Sequence, residues 1–287
     1  MGTSDQKPDT SANRSIESLV QECDDLRAQL AEAQQHNRDK TDFIVNMGHD
    51  IRTPLHGILG MTNLVLESSL TDEQRSYLEM VSSSAERLSD VVAQSLVFTR
   101  IEAGTLTLKD ETVALAETLD YELYVLRLTA QKKNLTLIFT VSREIPRQVN
   151  TDIARLLQVI GHLVNNAIKF TTKGSIEVLV RVVTRQADGA LVLKCTVTDT
   201  GIGIAQEKLA GIRDKFHHNH TSFARKYWGG GMGLTVAARI VQLAGGEIDV
   251  ESTDGLGATF WFTWPCRSAV PETINHQPPP DDEVESA

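Results

Sequence analysis

The chain has 287 residues, of which 41% are hydrophobic and 23% charged, and its formal net charge is −10 at pH 7. That length is enough for two modest domains with a hydrophobic core each. The acidic balance argues against nucleic acid or an anionic membrane as the main partner. No apolar run approaches the roughly 20 residues of a membrane helix, and the cysteines are odd in number and scattered. We therefore expect a cytoplasmic protein without a membrane span.

The first forty residues change in character near residue 15. Residues 1–14 are polar and predict disorder. Residues 15–40 carry apolar side chains at alternating spacings of three and four, which is typical of a coiled-coil seam whose partner is a second copy of the same helix. The seam consists of Ile16, Leu19, Cys23, Leu26, Leu30 and Ala33.

Residues 41–104 predict two antiparallel helices. The first continues from the seam, and Pro54 should bend it because the proline ring cannot fit a straight helical turn. Thr71 and Gln74 have the spacing of a capping box that starts the second helix. Each helix has one apolar stripe that the pair cannot bury alone, which predicts a homodimeric four-helix bundle. A monomeric hairpin covered by the second domain is the less favoured alternative.

Residues 105–265 have a different pattern of apolar residues, in which helix-like and strand-like segments are mixed. This mixture predicts an α/β sandwich, a mostly antiparallel sheet with its helices on one face, so the whole chain has an α+β fold. Residues 266–287 are rich in Pro, Glu and Asp and predict a disordered tail. Strands are expected at 135–141, 176–184, 191–198, 247–252 and 259–264, and helices at 115–132, 152–170, 205–215 and 233–244.

One motif on the first helix predicts chemistry. His49 and Asp50 place an imidazole beside a carboxylate, the pairing of a nucleophile with a base, and Thr53 lies one turn further along the same face. The alternative for Thr53 is a hydroxyl that bonds back to its own helix. His56 is followed by no acidic residue and is interpreted as structural.

Three further signatures follow in the second half of the chain. Asn165–Thr171 offers an amide oxygen to Mg²⁺ and a lysine to phosphates. Asp199–Gly203 ends a strand with a carboxylate that can accept the adenine amine, and its glycines let the backbone approach the ring. Gly229–Leu234 leads into a helix whose free backbone amides form a phosphate seat.

In this order the four motifs resemble the core of a sensor histidine kinase of two-component systems, from about Thr41 to about Pro265. The resemblance implies a dimerisation and phosphoacceptor domain followed by a Bergerat-type ATPase domain, with ATP and Mg²⁺ as cofactors. It implies that His49 takes the γ-phosphate, that Asp50 orients its ring, and that Thr53 holds a water during dephosphorylation. The expected recipient is the receiver domain of a response regulator, on a separate chain or in a missing C-terminal part.

The resemblance also assigns roles inside the ATPase domain. Asn166 matches the metal ligand, Lys169 a phosphate contact and Asp199 the adenine contact, and His162 stands at a position linked to catalysis in chemotaxis kinases, with a passive contact as the alternative. The remaining nucleotide-binding residues implied are Gly201, Gly203, Phe216, Arg225, Lys226, Tyr227, Gly229, Gly231, Gly233 and Leu234.

Several positions depart from the family pattern. Gly48 replaces a small Ser, which we expect to be neutral, and Arg213 replaces a customary Phe. Trp228 stands where Gly is usual beside the phosphates, so we expect a lid over the nucleotide that is looser or closes differently. Two alternatives remain: a degenerate kinase that acts as a dimerising inhibitor of another kinase, and an ATPase of the chaperone or gyrase type, which would have no use for the His49 motif.

Overall fold

The structure is a computed structural model that describes residues 10–217 and 232–269. The chain divides into two compact units, Met1–Leu106 and Thr107–Ala287. This division lies two residues after the boundary predicted between residues 104 and 105. Among the described residues, no helix is both long and apolar enough to span a membrane.

The first unit consists of two helices, α1 (Thr10–Leu66) and α2 (Asp72–Glu102). The predicted capping box is confirmed, because Thr71 accepts from the backbone N–H of Gln74 while the Gln74 side chain accepts from the backbone N–H of Thr71. α1 continues through the predicted seam without interruption and begins at Thr10, so the prediction of disorder up to residue 14 is wrong for its last residues. A helix can extend beyond its packed face, since each added residue continues the backbone hydrogen bonds.

The two helices of the first unit pack against each other but bury few side chains. Leu55 on α1 and Ala85 and Leu96 on α2 are at most 9% exposed. The predicted apolar stripe of α1 stays open, with Met61 exposed by 70% and Leu64 by 63%, whereas Ala85 of the predicted α2 stripe is buried. The two helices therefore leave much of their apolar surface uncovered.

The second unit alternates strands and helices and contains two strands, β1 and β3, that the sequence did not predict. Its elements are β1 (Glu111–Ala114), α3 (Leu115–Lys132), β2 (Leu135–Val141), β3 (Gln148–Thr151), α4 (Ile153–Phe170), β4 (Gly174–Arg185), β5 (Ala190–Asp199), α5 (Gln206–His217), α6 (Met232–Leu243), β6 (Ile248–Ser252) and β7 (Ala258–Ser268).

The strands form one seven-stranded sheet in the order β1-β3-β7-β5-β4-β2, with β6 also paired to β7. β2 and β4 run parallel, and the other described pairs are antiparallel. Buried residues alternate along β5 with a period of two, so one face of the sheet lies on the core. α4 packs there with the fully buried Val159, Ile160 and Val164. This confirms the predicted α/β sandwich.

The last strand extends beyond the predicted end of the domain at residue 265. β7 continues to Ser268, and Cys266 pairs with Leu191 of β5 and is 8% exposed. The prediction that the disordered tail starts at residue 266 is therefore wrong for residues 266–268. The reason is that the inward alternation of side chains continues through Cys266. The rest of the predicted tail, from residue 270, lies outside the described residues.

Candidate functional site

A cavity of about 330 Å³ lies in the second unit, between α4, the end of β5 and α5. Its wall combines a few polar groups with apolar side chains, the usual composition of a small-molecule site. Asn166 of α4 and Asp199 at the end of β5 both line it, so the structure brings together two predicted site residues that are far apart in sequence. Ile212 and Phe260 supply apolar wall.

Asp199 is the buried carboxylate of this cavity. It is 7% exposed, and its Oδ1 accepts a hydrogen bond of 2.8 Å from the backbone N–H of Gly201. Burial raises the pKa of Asp199, while hydrogen bonds from the backbone of Gly201 and of Ala258 act in the opposite direction. A carboxylate held in this way can accept a further donor from a ligand in the cavity.

The glycines after Asp199 are required by the backbone. Gly203 has φ +67°, and a Cβ added there would lie 2.1 Å from the carbonyl oxygen of Thr253. A Cβ on Gly201 would lie 2.6 Å from the carbonyl oxygen of Phe170. Both contacts are with backbone atoms, so neither position can hold a side chain without moving the chain around the cavity.

Hydrogen bonds hold the loop of Gly203 against the turn between β6 and β7. The backbone N–H of Ile204 donates to Oγ of Ser252 at 2.9 Å, and this hydroxyl donates to the carbonyl of Gly257 at 2.6 Å. The backbone N–H of Gly255 donates to the carbonyl of Ile202 at 2.8 Å. The mouth of the cavity is thus built from two tied loops.

α4 places its polar residues differently from the sequence prediction. Asn166 lines the cavity, whereas Lys169 is exposed, with its Nζ 5.2 Å from the ring centre of Phe170. His162, Asn166 and Lys169 follow one another on α4 at spacings of four and three, which would place them on one face of the helix. Nε2 of His162 is instead buried without a hydrogen-bond partner among the described residues, and burial lowers the pKa of its imidazole. His162 is therefore neutral near pH 7, and it is not among the residues that line the cavity.

α5 is anchored to the rest of the domain through Phe216 and Arg213. Phe216 was predicted to contact the nucleotide, but it is 1% exposed and packs in the core, away from the cavity lining. Its carbonyl accepts from Nε2 of Gln242. Arg213 donates from Nε to Oδ1 of Asp249 at 2.9 Å and from Nη2 to the carbonyl of Val250 at 2.7 Å. The arginine that replaces the customary Phe therefore ties α5 to the β6 strand.

The predicted phosphate seat is described only in part. Gly233 and Leu234 lie in the first turn of α6 and are half-buried. The other predicted residues of this seat and lid lie outside the described residues: Arg225, Lys226, Tyr227, Trp228, Gly229 and Gly231.

The candidate phosphoacceptor lies in the first unit. His49, Asp50 and Thr53 are all exposed on α1. The Thr53 hydroxyl donates to the carbonyl of His49 at 3.2 Å, which is the helix-bonded alternative considered for this side chain. The imidazole and the carboxylate are accessible to another molecule or domain.

Sequence reasoning missed several cavity residues. Lys208 and Ile212 on α5 line the cavity, as do Asp254 in the turn between β6 and β7 and Phe260 on β7. No motif marks them, because they reach the cavity through the tertiary fold. The apolar residues of α5 were the available signal, since an apolar side chain on a short, mostly polar helix must face either the core or a pocket.

Two family models match the chain. Residues 39–104 match the His Kinase A (phospho-acceptor) domain, and residues 151–268 match the histidine kinase-, DNA gyrase B- and HSP90-like ATPase. The chain carries the core of a two-component histidine kinase. The first of these matches contains the His49 motif. The second contains every residue that lines the cavity.

Curated relatives of this kinase core are longer proteins. It is 38% identical over 232 residues to the sensor protein GacS of Pseudomonas syringae pv. syringae, which covers 81% of the chain and 26% of GacS. It is 36% identical over 231 residues to the signal transduction histidine-protein kinase BarA of Escherichia coli K12, covering 80% and 25%. For the hybrid signal transduction protein dokA of Dictyostelium discoideum the identity is 37% over 259 residues, covering 88% and 15%. The chain thus spans about a quarter of GacS and BarA.

A solved structure supports the same assignment. The crystal structure of full-length ShkA in complex with AMPPNP superimposes with a TM-score of 0.62 and 29% sequence identity. The match covers 80% of this kinase core and 46% of ShkA. The predicted histidine kinase family and fold are therefore confirmed by sequence and by structure.

Proposed function

We propose that this kinase core uses ATP to phosphorylate its own His49 and passes the phosphoryl group to an aspartate in a response regulator. The observation that carries the proposal is the cavity around buried Asp199, within the region that matches the ATPase family. ShkA, which shares the fold, was crystallised with AMPPNP. The exposed His49 lies in the region that matches the phosphoacceptor family.

Asp199 favours adenine over guanine. The exocyclic N6 amine of adenine is a donor, whereas guanine presents the acceptor O6 at the corresponding position. The carboxylate of Asp199 can accept from the adenine amine, and its ionised form would repel the guanine oxygen. The apolar Ile212 and Phe260 provide contact area for the base.

The triphosphate and its Mg²⁺ are assigned to the Asn166 side of the cavity. Mg²⁺ prefers oxygen ligands and commonly binds through one or two protein groups together with substrate phosphates. The Asn166 amide oxygen fits that role, and the described residues contain no cluster of three His, Cys, Asp or Glu side chains that could hold a metal without the nucleotide. Lys169 and the start of α6 at Gly233 would contact the phosphates.

The phosphoryl transfer requires a neutral imidazole at His49. A ring nitrogen forms a bond to the γ-phosphorus of ATP while the bond from that phosphorus to the bridging oxygen of ADP breaks. The proton on the ring leaves to the neighbouring Asp50. Thr53 is assigned to the removal of phosphate from the response regulator, in which its hydroxyl would leave the carbonyl of His49 and orient the attacking water.

His162 is proposed as a catalytic residue in the ATPase domain. It lies one helical turn before Asn166 on α4, and its buried Nε2 has no partner among the described residues. A neutral imidazole with a free nitrogen can accept a proton or orient the attacking group. The passive alternative predicts that His162→Gln leaves the rate unchanged.

The active form is proposed to be a homodimer. The exposed residues of the apolar stripes of α1 and α2 include Met61, Leu64 and Leu88, each at least 49% exposed. Two copies of the hairpin would bury these stripes in a four-helix bundle, and the seam of α1, with Leu26 and Leu30 exposed, would continue as a coiled coil.

The response regulator is proposed as a receiver domain, either on a separate chain or in a part of the protein beyond this sequence. This chain spans only 26% of GacS and 25% of BarA, so the transfer of phosphate to a receiver domain is inferred from the family. We assign the reaction to the cytoplasm, in keeping with the free state of Cys23, Cys195 and Cys266.

Incubation with ATP radiolabelled at the γ-phosphate tests the proposal. The chain should acquire label that is lost in acid and stable in base, and His49→Ala should abolish it while nucleotide binding persists. His56→Ala is the matched control, since His56 is an exposed histidine on the same helix and should keep the label. A chain that binds ATP without labelling would support the inhibitor alternative, for which the described residues offer no support of their own.

A further inference from the structure

The residue before His49 is in close contact with the second helix. Gly48 is buried on α1, and a Cβ added to it would lie 2.3 Å from Cδ1, 2.7 Å from Cδ2 and 2.9 Å from Cγ of Leu96 on α2. The whole branched end of Leu96 therefore occupies the space that a side chain at position 48 would need. Leu96 is itself 9% exposed, so it is enclosed on its other sides.

This contact differs from the other glycines of α1. Gly57 and Gly60 have no atom within 4 Å of an added Cβ, so nothing in the described packing requires glycine at either position. Glycine lowers helix propensity relative to alanine, and a glycine in the middle of a long helix is expected to have a packing reason. At Gly48 that reason is the side chain of Leu96, so the expectation that this glycine is a neutral replacement for Ser is revised.

We propose that Gly48 and Leu96 form a positioning contact that sets the rotation and depth of α1 at the phosphoacceptor. Successive residues of a helix are separated by about 100° of rotation, so fixing Gly48 against α2 directs the next side chain, His49, away from α2 and into solvent. The inference rests on the proposed function, because it requires His49 to be the residue that is phosphorylated.

A side chain at position 48 must displace Leu96 or move α1 away from α2. Leu96 is enclosed, so the added side chain moves α1, and this movement shifts the His49 ring relative to the γ-phosphate. Phosphoryl transfer is sensitive to such shifts because it requires in-line geometry. The ring itself stays exposed and chemically unchanged. The defect should therefore appear in transfer from ATP, and the intrinsic reactivity of the imidazole should be unaffected.

Gly48→Ala in the full chain tests the contact, with Gly60→Ala as the matched control that adds the same methyl group to open space. Gly48→Ala should lower the maximal autophosphorylation rate about tenfold or more, with an unchanged KM for ATP. Gly60→Ala should behave like the unsubstituted chain. Labelling of His49 by phosphoramidate, which transfers its phosphoryl group to the ring with release of ammonia and needs no ATP, should proceed equally in all three.

The complementary substitution separates positioning from damage to the fold. Leu96→Ala removes all three atoms that would overlap the added methyl group, so Gly48→Ala combined with Leu96→Ala should recover to within about threefold of the Leu96→Ala rate. An undiminished rate in Gly48→Ala, no recovery in the double variant, or an equal loss of phosphoramidate labelling would each overturn the proposal. Absence of label in the unsubstituted chain, or label retained in His49→Ala, would instead overturn the proposed function.

Discussion

Gly203→Ala is expected to separate nucleotide binding from the rest of the fold. At φ +67° an alanine carries left-handed strain of about 1–2 kcal/mol. Its Cβ would also lie 2.1 Å from the carbonyl oxygen of Thr253, so the loop must move by roughly 1 Å to restore an ordinary contact. That movement breaks the hydrogen bonds from Ile204 to Ser252 and from Gly255 to Ile202, each of which contributes about 1 kcal/mol.

The total of about 3–4 kcal/mol corresponds to a loss of roughly 100- to 1000-fold in affinity if it is expressed entirely at the cavity. Calorimetric titration with ADP and Mg²⁺ measures the affinity, and thermal unfolding reports the stability of the domain. Gly211→Ala is the matched control, because Gly211 is a helical glycine of α5 with no atom within 4 Å of an added Cβ. If Gly203→Ala binds ADP as tightly as Gly211→Ala, the loop does not form the nucleotide site and the reasoning is refuted.

Three further predictions follow from the same structure. Asp199→Asn should weaken ATP binding yet stabilise the nucleotide-free protein increasingly as pH rises. Burial raises the folded-state pKa of Asp199, so the stability that this residue contributes is present below its unfolded pKa of about 4 and is lost as pH rises through its folded pKa. Urea midpoints of the two proteins that differ equally at low and neutral pH would contradict this prediction. Ser252→Ala should cost about 2 kcal/mol of unfolding free energy, since its hydroxyl links Ile204 to Gly257, and an unchanged urea midpoint would exclude that link. Removal of residues 1–40 should weaken dimerisation without abolishing it, because the stripes of the hairpin remain, and a monomer in ultracentrifugation would make the N-terminal seam the principal interface.

For two strongly periodic segments, the first and last residues could be predicted from the sequence without error. The helix at 115–132 and the strand at 135–141 have the predicted bounds, because their apolar patterns begin and end sharply. β1 and β3 were missed, since each has four residues and is held by pairing with its neighbours more than by its own pattern. Tertiary pairing likewise extended β7 to Ser268.

The candidate site was predicted where a backbone requirement leaves a mark in the sequence. Asp199 and Gly203 are such positions, since a strand end and a positive φ restrict the residue type. Phe216 and Nε2 of His162 are more deeply buried than the sequence could show, because a sequence shows which face of a helix is apolar but not how deeply a single side chain is buried. Lys208 had no signal in the sequence, since it reaches the cavity only through the packing of α5 in the tertiary fold.

The uninterrupted course of α1 from Thr10 to Leu66 has a mechanical consequence. From Cys23 to His49 the helix advances by about 40 Å, since each residue contributes about 1.5 Å of rise. A twist applied near Cys23 would therefore reach His49 as a rotation about the same axis. Each residue inserted between them would turn the two ends by about 100° relative to each other, and seven would nearly restore the original phase. Insertions of one to seven residues after Ala33 should thus change autophosphorylation with a period of seven.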